Sequence, residues 1–164
     1  ENLMNRFSWG KMNEEDVYLD HYNIRTLAVI KFRKSFIRLA ESLILEGKLQ
    51  EAEKVLDRCI ELAPHSKLPF DHFISGISFT GENEDTITYS GIIENYYKCG
   101  AMEKANLLLL EYGRILLQDI NYYNSLHDRF KIRYEKEAFQ SYSLYKHLTG
   151  LAEHYSQEGI IREL

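Results

Sequence analysis

Three side chains near the end of the chain have the chemistry of metal ligands. His147 and His154 are seven residues apart and Glu158 follows four residues later, so all three could share one side of a helix. Zinc sites usually hold their ligands closer together in sequence and add a further anchored ligand. We therefore predict that the chain binds no metal and no cofactor.

The two cysteines do not indicate redox or nucleophilic chemistry. Cys59 and Cys99 lie in no CxxC motif and have no adjacent residue that could act as a general base toward the thiol, and two cysteines cannot build a disulfide framework. The usual role of such a cysteine is that of a small buried hydrophobe. Dinucleotide-binding, P-loop, GxSxG and HExxH motifs are absent from the sequence, so we predict no catalytic residue in it.

A basic helix face is a candidate for membrane contact. Residues 21–40 contain five Lys and Arg side chains and no Asp or Glu, and Lys31, Lys34 and Arg38 fall on one side of a predicted helix. This face could rest against anionic lipid headgroups. A charged helix face is more often simply the solvated side of the helix, and that alternative remains open.

Tyrosine is unusually frequent, with twelve in 164 residues. Tyr122, Tyr123, Tyr142 and Tyr145 lie along a predicted seam between helices, where their rings could form a shelf on which a sugar stacks. The more common role of such rings is to fill the seam itself.

Length and composition describe the scaffold that carries these groups. The chain has about one domain's worth of residues, and 45% of them are hydrophobic, which excludes wholesale disorder. Two prolines and nine glycines favour long helices over a turn-rich β fold. The net charge of −5 argues against a nucleic-acid partner. No apolar run reaches the roughly 18 to 20 residues of a membrane span.

Hydrophobic periodicity predicts an all-α fold of stacked antiparallel helical hairpins, with about six to seven helices. An N-terminal arm covers residues 1–20, and a single helical-repeat domain covers 21–164. Its units are predicted at 21–64, 86–126 and 128–164, with an irregular connector at 65–85.

A repeated spacing organises these units. A small or apolar residue is followed after seven residues by a glycine, and after five more by an alanine. The glycine is expected to make the turn of each hairpin. The three sets are Ala40, Gly47 and Ala52; Ile93, Gly100 and Ala105; and Ala152 with Gly159, after which the chain stops at Leu164. We expect from this break that the sequence is the end of a longer polypeptide.

The spacing resembles that of tetratricopeptide repeats. Ala40, Gly47, Ala52 and Pro64 match the small–glycine–small–proline skeleton of that family, but the turn glycines are 53 and 59 residues apart rather than about 34, so the array is irregular. The resemblance implies a module that binds a protein or peptide along its first helices.

Three glutamates are the groove candidates. Glu41, Glu94 and Glu153 each follow the first residue of the repeated spacing, and a row of carboxylates would attract a cationic peptide. The alternative is that glutamate is simply a good helix former on a solvated face.

A second resemblance concerns the parent protein. The chain is similar to the C-terminal soluble region of a bacterial family of multi-pass membrane proteins, whose membrane part resembles protein mannosyltransferase-type glycosyltransferases. The stretches that carry it are FSWG at 7–10, VYLD at 17–20, FIRLA at 36–40, VLDRC at 55–59, PFD at 69–71 and YYK at 96–98.

This second resemblance implies a location and a set of functions. We expect a non-catalytic domain on the extracytoplasmic side that binds or positions a protein or peptide, and the parent's own membrane region is one candidate for that partner. An acceptor- or sugar-binding accessory role in protein glycosylation is the first alternative. A purely structural cap on the membrane part is the second.

Overall fold

The computed structural model describes residues 4, 6, 11, 13–18, 20, 30–64 and 90–164 of the chain. The described part is all-α, which confirms the predicted fold class and the predicted number of helices. Most of the N-terminal arm, residues 21–29 of the first predicted helix and the whole connector at 65–85 lie outside the described residues.

The described residues form six helices. They are α1 (Ile30–Leu45), α2 (Leu49–Leu62), α3 (Ser90–Cys99), α4 (Met102–Ser125), α5 (Asp128–His154) and α6 (Glu158–Glu163). None of these helices is long and apolar enough to cross a membrane. The contacts between residues divide the chain into two units, Glu1–Ala101 and Met102–Leu164. The single domain over 21–164, with its three repeat units, stays a prediction.

The first unit contains α1, α2 and α3. Helices α1 and α2 pack as a hairpin, and α3 packs on both of them. The seam is closed by small side chains, since Ala40, Ala52 and Ala63 are completely buried. Larger apolar groups fill the remaining core: Phe36, Ile37, Val55, Leu56, Leu62, Ile92 and Ile93. Burial of this apolar surface is the main favourable contribution to the stability of the unit.

The second unit is built on the long antiparallel pair α4 and α5. Helix α6 packs back against both of them. Gly113 of α4 lies directly under the Leu164 side chain, where a Cβ atom would overlap that leucine. The Tyr145 hydroxyl donates a hydrogen bond to the Leu164 carbonyl at 2.8 Å. The missing side chain at Gly113 therefore lets the last residues of the chain lie against α4.

Two predicted glycine turns are confirmed, and they have the same geometry. Gly47 and Gly100 have φ angles of 75° and 84°, in the left-handed region that glycine enters without steric cost. Each glycine N–H bonds the carbonyl three residues earlier, at 2.9 Å, and the next N–H bonds the carbonyl five residues earlier. These are the two hydrogen bonds of the Schellman C-cap.

The third turn is not at Gly159, where the spacing predicted it. It is at Ser156, which has a φ angle of 57° and makes the same pair of hydrogen bonds, to Glu153 and through Gln157 to Ala152. Gly159 instead lies in the first turn of α6. The prediction was wrong because a serine takes the left-handed position here, despite the steric cost to any residue with a Cβ.

Candidate functional site

Two of the three groove glutamates occupy equivalent positions. Glu41 on α1 and Glu94 on α3 each stand six residues before the left-handed glycine that ends their helix. Glu41 is exposed, and the Glu94 side chain retains 37% of its accessible surface. The Lys98 ammonium lies 2.7 Å from the Glu94 carboxylate, one helical turn away, so Glu94 carries its own counter-ion.

Glu153 is exposed on α5 but does not share that position. Measured from the third turn at Ser156, it stands three residues before the left-handed residue rather than six. Gly150 takes the place that corresponds to Glu41 and Glu94. The sequence signal for a third glutamate depended on the misplaced turn at Gly159.

The basic helix face is only partly described. Lys34 is half-buried and Arg38 is exposed, one helical turn apart on α1. The side chain of Lys31 lies outside the described residues.

A neighbouring basic residue has a structural role that the sequence did not indicate. Arg33 is only 5% exposed, and its guanidinium donates a hydrogen bond of 2.8 Å to the Ala63 carbonyl. Ala63 caps the C-terminus of α2, where unpaired carbonyls and the helix dipole favour a positive charge. Arg33 therefore joins α1 to the end of α2.

Cys59 and Tyr96 are titratable groups inside the first unit. Burial raises the pKa of the Cys59 thiol to about 12, although the nearby Arg33 guanidinium opposes that shift. The Tyr96 hydroxyl donates a hydrogen bond to the Asp57 carboxylate at 3.0 Å. Burial first, and then the Asp57 charge, raise the pKa of Tyr96. Both shifts keep these groups neutral, as expected for structural core residues rather than nucleophiles.

The two histidines considered as metal ligands lie on the surface of α5. His147, His154 and Glu158 are all exposed, and the His154 ring packs edge-on against Tyr155 at 4.9 Å. Within the described part of the chain, no three His, Cys, Asp or Glu side chains lie close enough together to hold a metal ion.

The predicted tyrosine shelf is split. The rings of Tyr122 and Tyr123 pack edge-on, with their centres 5.5 Å apart. Tyr142 instead lies beneath the Lys146 ammonium, and the Tyr145 hydroxyl is hydrogen-bonded to the Leu164 carbonyl. A tyrosine that the sequence reading missed joins the first pair: the Tyr134 ring stacks on Tyr123 at 6.1 Å. Counting outward from the α4–α5 turn pairs Tyr123 with Phe130, so the sequence carried no simple signal for the contact with Tyr134.

A cleft of about 300 Å³ opens beside this tyrosine cluster. It is lined by Tyr123 and Asn124 from the end of α4, and by Lys131, Ile132, Tyr134 and Glu135 from the start of α5. Helix α5 leaves helical geometry at Tyr134, with φ −109° and ψ 15°, so the cleft lies at a bend. Burial, and then the charges of Asp119 and Glu137, raise the pKa of Tyr123.

The part of the hairpin that carries the cleft has no buried residue. Leu116 is the last buried side chain of α4 and Gln140 is the first of α5, which leaves residues 117–139 without any. We call these residues the α4–α5 arm. The two helices of the arm contact each other through Tyr123 and Tyr134, and every side chain of the arm is half-buried or exposed.

Comparison with known proteins adds no relative, since no family model, no curated protein and no solved structure matches the chain.

Proposed function

We propose that the chain is a non-catalytic helical-repeat module that binds a cationic segment of a protein or peptide. The observation that supports this best is the equivalent placement of Glu41 and Glu94 on α1 and α3. The two helices belong to one unit and pack on each other, so the same carboxylate position is presented by adjacent first helices.

The side chains one turn further along complete the chemistry of the surface. Leu45, four residues after Glu41, is 88% exposed, while Lys98 occupies the corresponding position after Glu94. An exposed leucine beside a carboxylate suits a ligand that combines a basic residue with an apolar one. A ligand cation that approaches Glu94 has to compete with Lys98 for the carboxylate. A basic ligand therefore binds better than a neutral one only if the same ligand also contacts Leu45.

A peptide titration tests this proposal. The labelled probes are a set of twelve-residue peptides with Lys and Leu at varied spacing, and matched peptides with Glu in place of Lys. We expect only the basic set to bind, and we expect the double change Glu41→Gln with Glu94→Gln to weaken binding by about tenfold, as for the loss of rim charges at an interface.

Matched variants separate position from net charge. Glu103→Gln removes the same charge from an exposed residue in the first turn of α4, and Glu153→Gln removes it from the residue that the third turn places out of register. We expect both to bind like the unchanged chain. An equal loss of peptide affinity in all variants would show that only the overall charge matters. Binding of the acidic peptides would contradict the proposal.

An acceptor- or sugar-binding accessory role is the second candidate, and the tyrosine cleft favours it. Tyr123 offers an aromatic surface of the kind that packs on the apolar face of a sugar ring, with Asn124, Lys131 and Glu135 as hydrogen-bonding groups. Titration with mono- and disaccharides, followed by tyrosine fluorescence, tests it. We expect a response that Tyr123→Ala abolishes and Tyr142→Ala preserves.

We also propose, from the resemblance in sequence, that this module belongs to a membrane-anchored protein of glycosyltransferase type and faces the extracytoplasmic side. Reading the complete open reading frame for transmembrane helices tests the first part. Fusion of reporter enzymes to the end of the chain tests the second.

A further inference from the structure

Helix α6 is held in place by contacts at its two ends rather than by buried residues of its own. At one end, the Leu164 side chain lies over Gly113 of α4, and the Leu164 carbonyl accepts a hydrogen bond of 2.8 Å from the Tyr145 hydroxyl. At the other end, the Asn106 side-chain amide donates to the Gln157 side-chain oxygen at 2.9 Å. We call the surface formed by Asn106, Gly113 and Tyr145 the α6 groove. No residue of α6 is buried, so little apolar burial opposes its release from this groove.

The turn before α6 holds Ser156 in a backbone conformation that is costly for serine. Its φ angle of 57° lies in the left-handed region, where the turns at Gly47 and Gly100 use glycine. A right-handed helical conformation at Ser156 removes this cost and joins α5 and α6 into one helix, since no proline interrupts residues 128–164. The joined helix carries α6 away from its own groove, because the turn is lost. The turn is therefore a hinge whose strain favours release of α6.

We propose that two copies of the chain exchange α6, so that the joined α5–α6 helix of each copy places α6 in the α6 groove of the other. Exchange of an identical element keeps the contacts of the groove, and it is a low-cost route to dimers where a short hinge is strained. Both copies lose the left-handed serine, which offsets part of the entropy cost of association. The exchange does not depend on peptide binding by the first unit.

The α6 groove fits a second copy of the chain better than an unrelated helix. Gly113 makes room for Leu164, and Asn106 bonds Gln157, which precedes that leucine by seven residues. A second copy presents the same glutamine and leucine at the same spacing. An unrelated helix would have to match both groups and to displace an α6 that a three-residue turn keeps at high effective concentration. A second copy displaces α6 by supplying another one in exchange.

Analytical ultracentrifugation of the full 164-residue chain over a concentration series tests the proposal. We expect a monomer–dimer equilibrium with dimer present at roughly 100 µM, because strain in two hinges favours exchange against an effective concentration in the millimolar range. Ser156→Gly leaves the groove intact but removes the strain of the turn. It should weaken dimerisation roughly 100-fold, because each dimer opens two hinges. Gly150→Ala, elsewhere on α5, is the control and should leave the dimerisation constant unchanged.

Crosslinking between two different chains shows whether α6 is the element exchanged. One chain carries Asn106→Cys and the other Gln157→Cys, both with Cys99→Ser, since Cys59 is buried. We expect a short bismaleimide to join the two chains after mixing. Both cysteines in one dilute chain should give a crosslink within that chain, which shows that the reagent spans the contact. Glu111→Cys, at an exposed position of α4, replaces Asn106→Cys as the control and should give no crosslink.

Three results would overturn the exchange. The first is a chain that stays monomeric throughout a concentration series up to about 1 mM. The second is a dimer that Ser156→Gly does not weaken, because such a dimer would not open the hinge. The third is a dimer that gives the crosslink only within single chains, which would assign the dimer contact to another surface and α6 to its own groove.

Discussion

Single residues in the core of the first unit connect its helices and set its response to pH. Arg33 joins α1 to the end of α2, and the bond from Tyr96 to Asp57 joins α3 to α2. Neither role could be predicted from the sequence, because the position of an arginine in the helical pattern does not show whether its side chain is buried or solvated. The apolar positions around them were predictable, since Phe36, Ala40, Val55 and Leu56 follow the helical period and are all buried.

The Cys59 thiol should make stability fall at alkaline pH. Its pKa is near 12 in the folded chain and close to 9 when the chain is unfolded, so between these values only the unfolded state loses the proton. The Cys59 thiol therefore leaves the free energy of unfolding unchanged below pH 8 and should lower it by roughly 1 to 2 kcal/mol by pH 10. Urea titrations at pH 7, 8, 9 and 10 measure this.

The variant Cys59→Ala isolates the contribution of the thiol. This variant should be less stable at every pH because it leaves a small cavity, but its loss of stability between pH 8 and 10 should be smaller by roughly 1 to 2 kcal/mol. Cys99→Ala, at a half-buried position, is the comparison. Parallel pH profiles for Cys59→Ala and the unchanged chain would refute the assignment.

At the scale of the helices, the turns show what the sequence could and could not predict. Glycine spacing identified the turns at Gly47 and Gly100, because a left-handed C-cap strongly favours that residue. The same rule misplaced the third turn, since Ser156 takes the left-handed position. Glu153 was consequently grouped with Glu41 and Glu94, and the candidate groove lost its third member with the correction.

Substitutions at these turns should change the free energy of unfolding in opposite directions. Gly47→Ala and Gly100→Ala force a Cβ into the left-handed region and should each lower the free energy of unfolding by about 1 to 2 kcal/mol. Ser156→Gly relieves the same strain and should raise it by about 0.5 to 1 kcal/mol. Thermal and urea denaturation provide the values.

Gly150→Ala is the control for these turn variants. Gly150 lies inside α5 with open space around its Cα, so alanine there should stabilise the helix by up to about 1 kcal/mol. A loss of stability at Gly150, or no change at Gly47, would show that the turn geometry does not govern these effects.

The close approach of α6 to α4 gives a further prediction. Gly113→Ala gains helix propensity but places a Cβ against the Leu164 side chain, so we expect a net loss of about 1 kcal/mol or more. Leu164→Ala in the same chain removes the overlap and should recover the helix-propensity gain. A double-mutant cycle with the two single variants measures this coupling, and strict additivity would contradict the contact.

At the scale of the whole molecule, the distribution of buried residues predicts where the structure opens first. In the second unit, the core lies at Ala105, Leu109, Leu116, Leu144 and Leu148, whereas residues 117–139 are at most half-buried. Amides of the arm should therefore exchange with solvent deuterium through local opening, well before those of the core turns of α4 and α5. Hydrogen exchange followed by mass spectrometry of peptides compares the two segments.

The arm also sets the limit of sequence-based prediction for the candidate site. Hydrophobic periodicity identified the long helices α4 and α5. It could not show where the buried part of each helix ends, because the exposed Ile132 and Phe130 are residue types that usually lie in a core. The tyrosines were recognised as a group, yet only the register across the α4–α5 turn pairs Tyr123 with Tyr134.

The short turns between consecutive helices have a consequence for the order of folding. Gly47 and its neighbours let α1 and α2 pair across a turn of a few residues, so this hairpin closes with little loss of chain entropy. Proteins dominated by such local pairings have low contact order and fold quickly. During synthesis, the α1–α2 hairpin can therefore form while the residues of α4 to α6 are still being added at the ribosome.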